Sequence, residues 1–354
     1  MKKFNLLIHI AIGTFFFSCH SQEEQPEIPN DASISFGIKS AGYSNTRATL
    51  IDDETSADFR AKAFRVFAEH TPQGGVPEDV FNDVNVSYDG RLTGWNYPGE
   101  PKRWAENGTY VFRGFWPSST TVEGTATTSS LVFNYSTASD NDDLMVGYYT
   151  CPTRNPDSYG NVRYVGFHFY HALAAVRVAF KIGEEAKAAY TVKNVYFTSV
   201  YRIGSLSYTQ TEDAPITIDK WSPMLRAEND HLSVVRVREW KDGDEGVSGN
   251  VPVTTDDDDP QYLNLPWQLM IPQSLIVGGN TPKPGVVVEV ETQMNGYTTT
   301  NKKEMTLPTP TDLDCWKPGK KYTYTISLQP NSFDITVQSI PWDVVDAVAP
   351  DVEF

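Results

Sequence analysis

Three kinds of side chain in this sequence are typed and spaced for chemistry: a histidine pair, runs of carboxylates and a tryptophan cluster. His168 and His171 stand in FHFYHAL with two residues between them. Positions three apart on a strand face opposite sides, so the pair is not spaced to share a metal ion and reads as ordinary strand residues. Acidic runs occur at 140–143 (DNDD), 242–245 (DGDE) and 256–259 (DDDD). Aspartates beside turn-formers can hold calcium, but none of these runs has the EF-hand spacing with its closing glutamate. Each reads first as a solvated loop, since like charges repel without a cation. Trp95, Trp104 and Trp116 lie in or near GWNYPGEPKRWAENGTY. Exposed, they would stack on sugar rings; buried, they would supply apolar area to a core. No G-x-S-x-G elbow, HExxH pair or Walker phosphate loop occurs. No catalytic residue, cofactor or metal is therefore assigned.

One further group invites chemistry. FFFSCHSQEE, residues 15–24, turns from apolar to polar at a single cysteine. Lys2 and Lys3 form a basic start, and a mostly apolar run extends from Phe4 to Phe17. That run is shorter than the roughly 20 residues that span a bilayer and has the length of a signal-peptide core. Cys19 at its boundary reads as a lipobox cysteine, acylated and made the new N-terminus after cleavage of residues 1–18. Phe16 and Phe17 depart from the usual box, and an ordinary signal peptide is the alternative. Acyl chains add about 0.8 kcal/mol per buried CH₂, enough to anchor a chain without a membrane-spanning helix. Residues 20–32 then read as a polar tether. Loss of residues 1–18 removes two lysines and no acid, taking the formal charge from −16 to −18. Such a charge argues against a nucleic-acid partner, which needs a basic face. Cys151 and Cys315 are too far apart in sequence for a bridge to be inferred.

The elements that carry these residues are strands. GTYVFRGFWP alternates Tyr110, Phe112 and Trp116 against Val111, Arg113 and Phe115; AVRVAFKIG places Val176, Val178, Phe180 and Ile182 on one face. LNLPWQLMIP puts Leu263, Leu265, Trp267, Leu269 and Ile271 in phase, and GVVVEVETQM, KKYTYTISLQ and SFDITVQSI repeat the pattern. Many short strands between Gly, Pro, Asn and Asp turns predict an all-β chain of sandwiches. The length favours two domains, with a boundary in the alanine-rich stretch 183–191. ISFGI, residues 34–38, is a strand-like piece ahead of the linker KSAGYSNTRATL, whose Arg47–Ala48 bond sits in a polar setting open to an arginine-specific protease.

Taken together, the chain resembles the fimbrillin family, the type V pilins of Gram-negative gut and oral anaerobes. The likeness rests on Cys19, ISFGIKSAGYSNTRATL, FRAKAFRVFAEH, GTYVFRGFWP, DNDDLMVGYYT, VGFHFYHALAAVRVAFKIG and the closing ITVQSIPWDVV, in that order. The resemblance implies two tandem transthyretin-like β-sandwich domains, at 48–190 and 191–354, behind a signal peptide (1–18) and a propeptide (19–47). It implies a lipid-anchored precursor at the outer membrane, cut between Arg47 and Ala48, which then joins other subunits in a surface fimbria serving adhesion or biofilm formation. The departing strand would be Ile34, Ser35, Phe36, Gly37 and Ile38. A replacement strand from another subunit would fill the groove, with the C-terminal tail as donor. There Val344, Asp346 and Val348 alternate with Val345 and Ala347, and Pro350 breaks the pattern. The competing reading is a permanently anchored surface lipoprotein that binds carbohydrate through its tryptophan loops; a host or bacterial surface receptor fits either reading.

Overall fold

The structure is a computed structural model. It describes residues 33–36, 57–89, 94–105, 107–123, 130–136, 142–152, 164–182, 188–224, 235–239, 263–265, 267–276, 278–279, 282–309, 314–329, 333–342 and 345–347. The expected signal peptide and lipidated Cys19, the bond Arg47–Ala48, Gly37, Ile38, Val344, Val348 and the acidic runs at 242–245 and 256–259 lie outside these residues.

The chain is all-β, built as sandwich-like sheets. The first half contributes β1 (Ser35–Phe36), β2 (Phe64–Thr71), β3 (Glu78–Tyr88), β4 (Trp95–Asn96), β5 (Thr109–Trp116), β6 (Leu131–Ser136), β7 (Met145–Pro152), β8 (Tyr164–Val165), β9 (Phe167–His171) and β10 (Ala174–Ile182). One short helix, α1 (Ala57–Ala61), precedes β2, with Asp58 in its first turn and Arg60 in its last, each complementing the helix dipole. FRAKAFRVFAEH thus begins in a helical turn and continues as a strand. The second half contributes β11 (Ala189–Thr198), β12 (Ile203–Tyr208), β13 (Trp221–Met224), β14 (Val235–Glu239), β15 (Leu263–Asn264), β16 (Gln268–Met270), β17 (Gln273–Ser274), β18 (Gly285–Met294), β19 (Tyr297–Thr306), β20 (Cys315–Trp316), β21 (Lys320–Leu328), β22 (Phe333–Pro341) and β23 (Val345–Ala347).

Nine strands form one sheet in the order β23-β9-β7-β5-β2-β3-β4-β1-β8. Strands β8 and β9 are separated by one residue in the chain yet stand near opposite ends of that order, so the sheet rolls until its ends approach. The roll encloses an aromatic core that includes Phe36, Phe59, Phe64, Phe112, Trp116 and Phe167. A second sandwich faces β15-β10-β21-β22 against β14-β11-β18-β19. Its core takes Val176, Val178 and Phe180 from β10, Val286, Val288 and Val290 from β18 and Tyr324 from β21. A third core joins the two, with Phe67, Phe115 and Val146 on the outer face of the rolled sheet against Phe133, Leu206 and Trp221 of the sheet β13-β12-β6.

Chain order and sheet membership do not run in step. β10, on the N-terminal side of residue 190, pairs in parallel with β21 over nine residues; β6 pairs with β12, and β23 returns to β9. The run Leu263–Ile271 is not one strand. Its ladder pairs lie at Leu263–Asn264 and at Gln268–Met270, and the proline between them in the sequence has no amide proton to give a ladder. Leu265 then enters the second core while Trp267, Leu269 and Ile271 enter the third.

The two sandwiches share a local device. Ala105 N–H donates to Tyr110 Oη at 2.9 Å, and Lys317 N–H donates to Tyr322 Oη at 2.8 Å. Each tyrosine follows a tryptophan by six positions, Trp104 and Trp316. Just ahead of each tryptophan, a carbonyl takes the amide proton of an incoming strand: Ile34 N–H to Lys102 O at 2.7 Å, and Leu275 N–H to Asp314 O at 2.8 Å. Ser33 pairs with Arg103 as Ser274 pairs with Cys315. Thus Ser33–Ile34 and Ser274–Leu275 occupy matching places. In the second sandwich that place is filled by the middle of the chain; in the first, by its leading strand.

Candidate functional site

The strand expected to be removable is the centre of the site. β1 lies between β4 and β8, antiparallel to the first (Phe36 opposite Trp95) and parallel to the second (Ser35 opposite Tyr164, Phe36 opposite Val165). Alternation sends Ile34 and Phe36 inward, each 1% exposed, and leaves Ser33 and Ser35 half-buried. Phe36 sits among five rings, those of Phe64, Phe81, Tyr97, Phe112 and Phe167, with centroids 5.7–6.4 Å away. Burying two such side chains stabilises the fold by about 1.5–3 kcal/mol each. The backbone is held by Lys102 O at Ile34 N–H and by Tyr97 Oη, which donates to Ile34 O at 3.1 Å. A cleft of about 180 Å³ runs beside the strand, bounded by Trp95, Asn96, Tyr97, Gly99 and Pro101. The site is therefore a slot that reads two apolar side chains, two residues apart, and a short stretch of main chain.

The tail expected as donor is partly in view. Val345–Ala347 pairs antiparallel with β9, Val345 opposite Phe169 and Ala347 opposite Phe167. Phe167 also stacks on Phe36 at 6.2 Å, so the tail strand and β1 flank neighbouring stretches of one continuous run, Tyr164–His171. The tail leaves the body at Trp342, which is 3% exposed and stacked on His171 at 3.7 Å. Trp342 N–H donates to Gly319 O, and Gly319 N–H to Leu173 O, both at 2.9 Å.

The residues considered for chemistry separate cleanly. β9 puts His168 and His171 on opposite faces: His168 is half-exposed, 2.7 Å from Asp213, and His171 is buried with Nδ1 2.6 Å from Asp143 Oδ2. Asp143, read as part of a solvated run, is fully buried; its partner lies 28 residues downstream and left no local signal. No group of metal-ligating side chains occurs among the described residues. Trp95 and Trp116 are core residues, 2% and 0% exposed, so neither presents a face to a sugar ring. Trp104 is half-buried against Tyr110 and Phe112. Cys151 is buried on β7 and no disulfide joins it to Cys315.

Comparison with known proteins adds three findings. A family model described as fimbrillin-like matches residues 46–342. No curated protein matches the chain. Among solved structures, a fimbrial protein from Bacteroides vulgatus is similar at 14% identity and a TM-score of 0.51, covering 82% of this chain and 96% of that one. The tip fimbrial protein Mfa3 from Porphyromonas gingivalis, with a C-terminal truncation, is similar at 10% identity and a TM-score of 0.32, over 81% and 97%. At 14% identity the likeness to the Bacteroides vulgatus protein shows the fold alone.

Proposed function

Because the chain belongs to the fimbrillin-like family, we propose that it is a structural or tip subunit of a cell-surface fimbria, assembled by strand replacement. In this reading Cys19 carries lipid at the outer membrane, a protease cuts between Arg47 and Ala48, and Ile34–Ile38 departs. A strand from another copy or another fimbrial subunit then fills the vacated slot, the tail Val344–Val348 being the first candidate donor. In this reading the two transthyretin-like units run over 48–190 and 191–354, and the first lends β10 to the sheet that holds β21. No catalytic role is given to any residue.

The observation that carries this reading is the first strand itself. Its two inward side chains are buried among the aromatic residues of the first core, and among the described residues it pairs with β4 on one side and β8 on the other. Removing it would bare an aromatic slot and unpaired main-chain groups, which water does not tolerate and a second strand can repair. Such a joint is head-to-tail and need not close into a ring, so subunits add indefinitely. The burial of Trp95 and Trp116 favours this reading over carbohydrate stacking. N-terminal sequencing of protein recovered from the cell surface tests it: a start at Ala48 is expected, and a blocked start at Cys19 on all surface material would overturn it. Arg47→Ala is expected to leave the protein at precursor size.

A further inference from the structure

We infer that a cleft over β2, on the outer face of the rolled sheet, binds an uncharged sugar, a glycan of a surface that the fimbria meets. None of the residues lining it belongs to the leading strand or the tail, so the site stands apart from strand replacement. β2 lies between β3 and β5. On the β3 side, Val66 pairs with Val84 and Ala68 with Phe81, so Asn82 and Asp83 together stand opposite Phe67. This bulge, with Asp83 at a φ of 58°, turns two neighbouring polar side chains into one space. On the β5 side, Ser119, Thr120 and Thr121 bring three successive hydroxyls. The cleft between them measures about 400 Å³, within the roughly 300–1,000 Å³ of small-ligand sites.

Both walls are set before any ligand arrives. Asp83 is ion-paired with Arg65, whose guanidinium also lies 5.5 Å from the centre of the Phe115 ring. The hydroxyl wall is tied down at three points. Ser118 N–H donates to Ala63 O at 2.8 Å, Thr120 N–H to Pro117 O at 3.0 Å and Glu123 N–H to Val132 O at 2.8 Å. A site built in advance loses less freedom on binding.

The walls select the ligand. Arg65 and Asp83 cancel one another's charge, so the cleft favours neither an anion nor a cation. It presents donors and acceptors in mixed supply: the Asn82 amide does both, Asp83 accepts, Arg65 donates and each hydroxyl does both. Asn82, Ser119 and Thr121 are exposed, so their polar groups stand open to a ligand. Neighbouring hydroxyls of a sugar ring are the complementary set, with the bonds to the Asp83 carboxylate the stronger ones. Phe67 lines the floor but is only 1% exposed, too little for an apolar peptide side chain to bury against. Recognition here is by hydrogen bonding, in contrast to stacking on the tryptophans.

The test applies the full-length, uncut chain to an array of neutral oligosaccharides with sialylated and sulfated ones beside them, then measures the affinity of each neutral glycan retained. Retention of neutral glycans is expected. Asn82→Ala and Thr121→Val, both at exposed positions, are each expected to weaken binding about tenfold with the melting temperature unchanged. Thr299→Ala, at an exposed position of β19 in the second sandwich, should leave affinity within about twofold of the wild type. No retained neutral glycan, a preference for sialylated or sulfated glycans, or binding that survives both cleft variants would overturn the site. Each of those results leaves strand replacement standing, because that reading is decided separately by the N-terminus of the surface protein.

Discussion

Phe36 touches five aromatic rings, and its truncation should be felt throughout the first core. Phe36→Ala in the uncut chain is expected to cost about 3–5 kcal/mol, read as a lowered urea midpoint. His171→Ala removes both the group facing Asp143 and the surface on which Trp342 lies; about 1–3 kcal/mol is expected by the same measurement. Tyr322 supplies a pH dependence: burial raises its phenol to about 12. The folded state holds that proton more tightly than the unfolded chain, whose tyrosines titrate near 10. The stability from keeping Tyr322 neutral is complete below pH 10 and is lost as pH rises through about 12. Tyr322→Phe should flatten the alkaline limb of a stability–pH curve, and an unchanged limb would contradict this. At this scale Phe36 was legible, because ISF alternates ahead of a polar linker. Asp143 was not, because a carboxylate among carboxylates looks solvated until a histidine from another strand meets it.

Turns decide how the strands are set. The Asn295–Gly296 pair joins β18 to β19 with φ of 52° and 80°, the left-handed pair that a two-residue hairpin needs, and it could be read directly from the sequence. Gly108, ahead of β5, was less visible. Its φ is 106°, and a Cβ there would lie 2.2 Å from Thr71 O. Gly108→Ala is expected to destabilise the chain by at least about 1–3 kcal/mol, seen as a lower melting temperature. Period-2 alternation located β5, β10, β18, β21 and β22, since burial on one or both faces imposes it, but not β3 or β19, where most positions are not buried. It could not show that Leu263–Ile271 divides between two cores. Nor did it reveal that Trp104–Tyr110 and Trp316–Tyr322 are one motif used twice, because two residues at a spacing of six mean little until the tyrosine hydroxyls are seen to take the same backbone proton.

Across the whole molecule, β10 and the third core tie the halves together. The protein should melt in a single calorimetric transition, and two resolved transitions would show that the seam is weaker than its burial indicates. Sheet membership that crosses the chain order was beyond the sequence, since a strand's partner is fixed by long-range packing that local pattern does not encode. The insertion of the leading strand between β4 and β8 has a kinetic meaning as well. While that segment stays covalently joined to the rest of the chain, its dissociation is followed by intramolecular recapture. A single hydrolysed peptide bond would turn recapture into an ordinary bimolecular encounter with a diluted fragment, so the covalent tether would serve as a one-way ratchet.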